Sequence, residues 1–218
     1  STGKCPEGIT MRCRTVGYHP LFRCCLWSMV LLVAAGCAHL VPVTDRSAEE
    51  NEMSDRNPSA TCTLMVLRHC EKGPGSDPSL TSEGQERAKE LANLLGEEPI
   101  TRLLCTEYRR THETLEPLAA RVGVEIETIR AGNSSAWHQA LGNIAAGDCV
   151  VICGHQNTVP LFVDAVGGFI DGTEQVSGQQ WIPGHVFDRL YVVTWPSIEA
   201  IPAESALSKT RQYGAPCD

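Results

Sequence analysis

The chain has 218 residues, 42% of them hydrophobic and 20% charged, so a sizeable core can be buried and wholesale disorder is excluded. Its 26 acidic residues outnumber 18 Lys and Arg for a formal net charge of −8, which argues against general nucleic-acid binding by phosphate neutralisation. Nineteen Gly and 13 Pro carry no bias toward a repeat, collagen or coiled coil.

The amino-terminal part reads as a targeting segment. Arg12, Arg14 and Arg23 precede the apolar run Leu26 to Ala35, too short for the ~20 residues of a bilayer span but of signal-peptide length. Ala34-Ala35-Gly36 before Cys37 resembles the lipobox of bacterial lipoproteins, with Ala34 where Leu is commonest. Residues 1–37 are therefore expected to be a signal peptide that starts at Met11, with residues 1–10 upstream of it. Cys37 is the expected lipidation site, and the expected location is the bacterial periplasm, lipid-anchored to the outer membrane. Residues 38–60 are polar, acidic and without periodicity, the composition of a disordered linker.

From residue 61 the pattern alternates. Thr61 to Leu67 is a run of strand formers, and Gly73 to Pro78 is turn-rich. Ser82 with Gln85 has the capping-box form, and Ala88, Leu91, Ala92 and Leu95 follow at helical spacing. A short strand is expected at 102–105. A second helix runs through Leu115, Leu118, Ala119 and Val122, with Pro117 kinking it or lying in its first turn. A strand at 124–128, a helix at 135–146, a buried strand at 149–153 and a helix at 158–166 come next, and a final strand is expected at 186–194. Strand alternating with helix predicts an α/β domain over 61–218, a mostly parallel sheet covered on both faces.

Six of the 11 cysteines lie beyond residue 37, and no CxxC pair occurs. Cys149 and Cys153 fall on one face of an apolar strand, where they read as core thiols rather than zinc ligands or a dithiol. Cys62 and Arg68 have the C-x5-R spacing of cysteine phosphatases, but the residues between them lack glycine and form a strand, not an anion-cradling loop.

Two features occupy equivalent places. Arg68-His69 follows the first strand and Gly154-His155 follows the buried strand. In open α/β sheets ligands bind beyond the carboxyl ends of strands, so both imidazoles can face one crevice. Arg110, just after the second strand, can reach it too. Two Arg and two His would form a cationic pocket suited to phosphate.

In order, Leu67-Arg68-His69-Cys70-Glu71-Lys72, Leu80-Thr81-Ser82-Glu83-Gly84, Arg110-x-x-x-Thr114 and Gly154-His155-Gln156-Asn157-Thr158 resemble the histidine phosphatase superfamily, also called phosphoglycerate mutase-like. The similarity is greatest to the exported bacterial branch whose signature reads Arg-His-Ala-Glu-Lys. It implies a three-layer α/β/α sandwich and a metal-independent phosphomonoester hydrolase with no cofactor. His69 is then the nucleophile, and Arg68, Arg110 and His155 hold the phosphate, with Asn157 beside them. Cys70 replaces the usual Gly or Ala, and Cys105-Thr106 replaces a common Ser pair.

A proton donor must serve the leaving oxygen. No Asp or Glu occurs between Glu127 and Asp148, where mutase members often place it, so Glu71 is the first candidate, followed by Asp188 and Asp77. The expected substrate is a phosphorylated small molecule or phosphoprotein, the expected contact with a membrane is through the lipid anchor, and no nucleic acid is involved. The alternatives are a non-catalytic phospholigand-binding lipoprotein and a phosphomutase. The pocket walls are expected from the loops at 73–78, 131–137 and 168–183.

Overall fold

The computed structural model describes residues 60–217. The apolar run, Cys37 and the linker to residue 59 lie outside the described residues. The strands β1 (Thr61–Arg68), β2 (Arg102–Cys105), β3 (Ile126–Thr128) and β4 (Cys149–Gly154) alternate with the helices α1 (Ser82–Leu95), α2 (Arg109–Val122), α3 (Ser134–Gly142) and α4 (Val159–Ala165). A hairpin of β5 (Glu174–Val176) and β6 (Gln179–Trp181) precedes β7 (Arg189–Pro196) and β8 (Leu207–Gln212).

The main sheet has the order β3-β2-β4-β1-β7-β8. β1, β2, β3 and β4 are parallel to their neighbours, whereas β7 runs antiparallel to β1 and β8. The reversal has a local cause: Leu190 pairs with Leu67, so the chain enters β7 at the carboxyl end of β1 and can only return. The carboxyl-terminal strands differ from expectation. The strand placed at 186–194 spans 189–196 and is followed by β8, an edge strand of polar, mostly exposed residues that shows no apolar alternation in sequence. The hairpin, exposed at nearly every position, is equally silent.

Alternation along the strands makes two cores. Leu64, Val66, Leu104, Val150, Ile152 and Val193 pack with Trp137 and Leu141 of α3 and with Val159, Phe162 and Val163 of α4. Met65, Leu67, Leu103, Val151 and Leu190 pack with Leu91 and Leu95 of α1 and with Leu115 and Leu118 of α2. This is the three-layer α/β/α arrangement. Each fully buried Leu or Val contributes roughly 1.5–3 kcal/mol, so the sheet is the rigid part that carries the strand ends. Cys105, Cys149 and Cys153 lie in the second core as free thiols, matching the core reading. Cys62 donates to the Ala145 carbonyl at 3.3 Å near the other end of β1 from Arg68, so their spacing forms no phosphate loop.

The helix ends refine the sequence boundaries. The N-cap of α1 is Thr81, whose hydroxyl accepts from Gly84 N at 3.2 Å, one residue before the expected Ser82. Thr81 N–H donates to the Glu71 carbonyl at 3.0 Å, which holds Thr81 extended and leaves Ser82 already helical. A Cβ on Gly84 would lie 2.1 Å from that same carbonyl oxygen, so the first turn of α1 packs on the backbone beside the site only because residue 84 is glycine. Pro117 lies well past the first turn of α2, and the helix continues to Val122 before Gly123 closes it at φ 72°. β3 starts at 126 rather than 124, and α3 ends at 142 rather than 146.

Candidate active site

Register places the two histidines together. Arg68 pairs with Gly154 across β1 and β4, and His69 N–H donates to the Gly154 carbonyl at 3.0 Å. The residues after both strands therefore enter one crevice, with ring centroids of His69 and His155 5.5 Å apart. A cavity of about 490 Å³ is lined by Arg68, His69, Lys72, Tyr108, Arg110, Ala131, Gly132, His155, Gln156, Asn157, Thr158 and Trp181. Arg68, His69, Arg110, His155 and Asn157, all expected from the sequence, thus meet there. Among the described residues, no Asp or Glu lines it.

Hydrogen bonds fix the tautomer of His69. His69 Nδ1 lies 2.7 Å from the Cys70 carbonyl, which only accepts, so Nδ1 carries the proton and Nε2 keeps its lone pair. Burial, reinforced by Arg68, His155 and Arg110, holds the ring pKa down to about 3. The imidazole is therefore neutral at physiological pH, the state that can attack phosphorus. Cys70 is in turn held by Thr114, whose hydroxyl accepts from Cys70 N at 3.0 Å and donates to the Arg110 carbonyl at 2.7 Å. That single threonine ties the nucleophile's loop to α2 and accounts for the Arg110-x-x-x-Thr114 spacing.

The arginines are positioned differently. Arg68 is 7% exposed, lies over the Phe187 ring at 4.0 Å and donates from Nη1 to the carbonyls of Pro183, Gly184 and Val186. Burial lowers its pKa to about 10, and it stays charged. Arg110 stacks on Tyr108 at 4.3 Å, with Nη2 3.4 Å from His155 Nδ1 and Nη1 3.8 Å from Asp77. His155 is 8% exposed, and burial followed by the Arg110 charge lowers its pKa to about 4. The two guanidinium groups, facing one crevice, make a cationic site suited to an oxyanion.

The carboxylates proposed as proton donors are not brought into this cavity. Glu71 turns away to Arg87, at 2.7 Å, and lines a separate cavity with Glu83, Glu86 and Glu90. The reason is steric: the residue after Cys70 faces α1, where Arg87 waits buried. Asp188 is buried, pairs with Arg189 and accepts from Gln212 and Cys217 N. Asp77 caps α2 from outside, accepting from Arg109 N at 2.9 Å, and lines a neighbouring cavity with Glu107, His112 and Glu113. The loop 73–78 thus braces Arg110 instead of lining the cavity. Of the other expected walls, 131–137 contributes Ala131 and Gly132, and 168–183 contributes Trp181.

Sequence reasoning missed Tyr108 and Lys72 as lining residues, and Thr106 and Thr111 behind His155. Tyr108 sits two residues before Arg110, a readable offset. Trp181 falls within the expected wall 168–183 but is not singled out by any sequence signal. Among the described residues no group of three or more His, Cys, Asp or Glu is placed to hold a metal ion.

Residues 64–131 match the histidine phosphatase superfamily (branch 1) profile, a segment that includes Arg68, His69 and Arg110. No curated protein matches the chain. Among solved structures, it is similar to a SixA protein from Nakamurella multipartitia at 17% identity and TM-score 0.49, covering 74% of this chain and all of that one. It is also similar to a protein histidine phosphatase SixA complexed with tungstate, at 22% identity and TM-score 0.47, with 71% and 97% covered. A mycobacterial glucosyl-3-phosphoglycerate phosphatase is similar at 15% identity and TM-score 0.46, with 72% and 100% covered.

Proposed function

We propose that this chain, whose residues 64–131 match the histidine phosphatase superfamily (branch 1) profile, is a metal-independent phosphatase that hydrolyses phosphomonoesters through a phosphohistidine on His69. The observation that carries this is the His69 ring: its Nδ1 proton is bound to a carbonyl, and it shares a cavity with Arg68, Arg110 and His155. Nε2 attacks phosphorus as the bond to the leaving group breaks, and water then takes the phosphoryl group from the imidazole. Arg68 and Arg110 meet the charge on the nonbridging oxygens, which is the larger part of what a protein supplies to this transfer. Purified protein containing residues 38–218 should hydrolyse p-nitrophenyl phosphate equally well with and without EDTA. Phosphate binding without turnover would favour the non-catalytic lipoprotein instead.

The lining without a carboxylate bears on substrate class. A poor alkoxide leaving group needs a strong donor, whereas an aryloxide departs without one and a phosphoramidate nitrogen can be protonated before its bond breaks. Aryl phosphates and phosphohistidine on a protein therefore fit this cavity better than sugar phosphates do, and better than a mutase substrate.

Export and lipid anchoring at Cys37 rest on the basic start, the apolar run and the Ala-Gly-Cys sequence. Several acyl chains on one cysteine would anchor the domain stably. In a Cys37→Ala variant the protein should leave the membrane fraction; a variant that still matures and stays there would remove the lipobox reading.

A further inference from the structure

Behind His155 lies a chain of hydroxyls that decides where its proton sits. Thr111 Oγ1 is 2.7 Å from the Tyr108 carbonyl and 3.0 Å from the Thr106 carbonyl. The Tyr108 carbonyl is the nearest acceptor, so the single hydroxyl hydrogen of Thr111 is directed there rather than to Thr106 Oγ1 at 2.9 Å. Thr106 Oγ1 is then the donor of that contact, and Arg110 Nη2, which only donates, favours the same arrangement by facing His155 Nδ1. Its only hydrogen is then used. Toward His155 Nε2, also at 2.9 Å, Thr106 can only accept. Nε2 thus carries the proton of the neutral ring, and Nδ1, facing Arg110 Nη2 at 3.4 Å, is bare.

A phosphoryl dianion entering beside Arg110 would meet that lone pair. We propose that Thr106 is a positioning residue that locks neutral His155 as its Nε2–H tautomer, so that binding of a dianionic oxyanion requires uptake of one proton at His155 Nδ1. The inference rests on the reading of this cavity as an oxyanion site and adds a regulated proton to it.

The groups facing His155 set the balance. Arg110 and Tyr108 approach from the entry to α2, His69 and Arg68 from the end of β1, and Glu107 from the segment after β2. Burial and the two arginines keep the ring neutral, against the opposing charge of Glu107. An incoming dianion offsets the cationic field and supplies an acceptor at Nδ1, both of which favour the imidazolium. With no carboxylate among the described residues lining the cavity, the ring is the group placed to take that proton.

Sulfate is the probe, because it holds no proton of its own near neutral pH and any proton taken up must sit on the protein. Long-range proton–nitrogen NMR of the nitrogen-15-labelled imidazoles at pH 7 should show His155 as the Nε2–H tautomer in free protein and doubly protonated in sulfate-saturated protein. Sulfate affinity should fall about tenfold per pH unit while the free ring is neutral and the bound ring charged. Thr106→Val frees the ring to turn its proton to Nδ1, so uptake should fall from about one proton per sulfate to near zero, and Thr106→Ser should restore it. An Nδ1–H tautomer in the free wild-type protein, or a ring that stays neutral at every sulfate concentration, overturns the proposal without need of any variant. Hydrolysis of p-nitrophenyl phosphate is measured separately. Turnover with the wrong tautomer sinks this inference alone, and a locked tautomer without turnover sinks the phosphatase reading alone.

Discussion

The Glu71 carboxylate receives Arg87 Nε at 2.9 Å and Nη2 at 2.7 Å, a two-pronged pair whose side chains are 22% and 6% exposed. Arg87 Nη1 continues to the carbonyls of Tyr213 and Ala215, at 3.1 and 2.7 Å. The pair therefore joins the nucleophile's loop, α1 and the segment after β8. An acidic residue two positions past His69 acts here as a structural clamp.

Glu71→Gln should accordingly lower stability rather than remove an acid. Breaking this half-buried pair leaves the buried Arg87 charge less well compensated, at a cost on the order of 1–3 kcal/mol, which urea unfolding would read as a lower midpoint at unchanged slope. Hydrolysis of an alkyl phosphate and of p-nitrophenyl phosphate should change by the same factor. A selective loss on the alkyl substrate would return Glu71 to the proton-donor role.

The nucleophile is testable by trapping. Quenching with labelled substrate should yield a base-stable, acid-labile phosphoenzyme, as a phosphoramidate bond requires, and His69→Ala should abolish it. A label of unchanged stoichiometry in that variant would move the covalent chemistry to another residue.

Arg110→Ala and His155→Ala should each cost on the order of 10²-fold or more in turnover, because both groups meet charge that develops on the phosphoryl oxygens. Circular dichroism should show both variants folded, since neither side chain is part of the two apolar cores. An unchanged kcat in either would take that residue out of the site.

Acid should unfold the domain through its histidines. Burial first, then neighbouring positive charge, holds His69 at about 3 and His155 at about 4, both below the ordinary 6.5. Between those values the unfolded chain binds protons that the folded chain does not. Stability is therefore full above pH 6.5 and falls as the pH drops toward 4, by at most ~1.4 kcal/mol per pH unit for each ring. Denaturation midpoints over this range, compared with those of His69→Ala, test the assignment; a flat profile would mean that the rings titrate normally. Catalytically, His69 should impose no acid limb near pH 6.5 on kcat/KM.

The parts of the fold that the sequence shows are those governed by periodicity. β1, β2 and β4 are apolar on both faces because both are covered, and α1 and α2 carry buried residues at helical spacing. Arg68, His69, Arg110 and His155 were legible because strand ends converge in a parallel sheet, so position along the chain already implies proximity. Glu71 was misread because adjacency to His69 in sequence says nothing about direction: a residue beyond the strand end can turn toward the crevice or toward α1, and Arg87, sixteen residues on, decides it. The sequence shows Thr106 only as half of the pair that replaces two serines, since its role depends on a hydroxyl partner and a distant imidazole. β8 and the hairpin bury little, so no apolar pattern announces them.

The hairpin of β5 and β6 offers a route to new specificities. It pairs only with itself, yet its carboxyl end is pinned where Ile182 N–H donates to the Gln156 carbonyl at 2.8 Å and where the next carbonyls, from Pro183 to Val186, grip Arg68. Residues 172–181 are therefore an interchangeable cassette: foreign loops of other lengths can be grafted there to reshape the mouth of the cavity. Indels in 182–187, by contrast, would displace the Arg68 guanidinium. A library confined to the cassette should keep its phosphoryl chemistry while its choice of leaving group drifts.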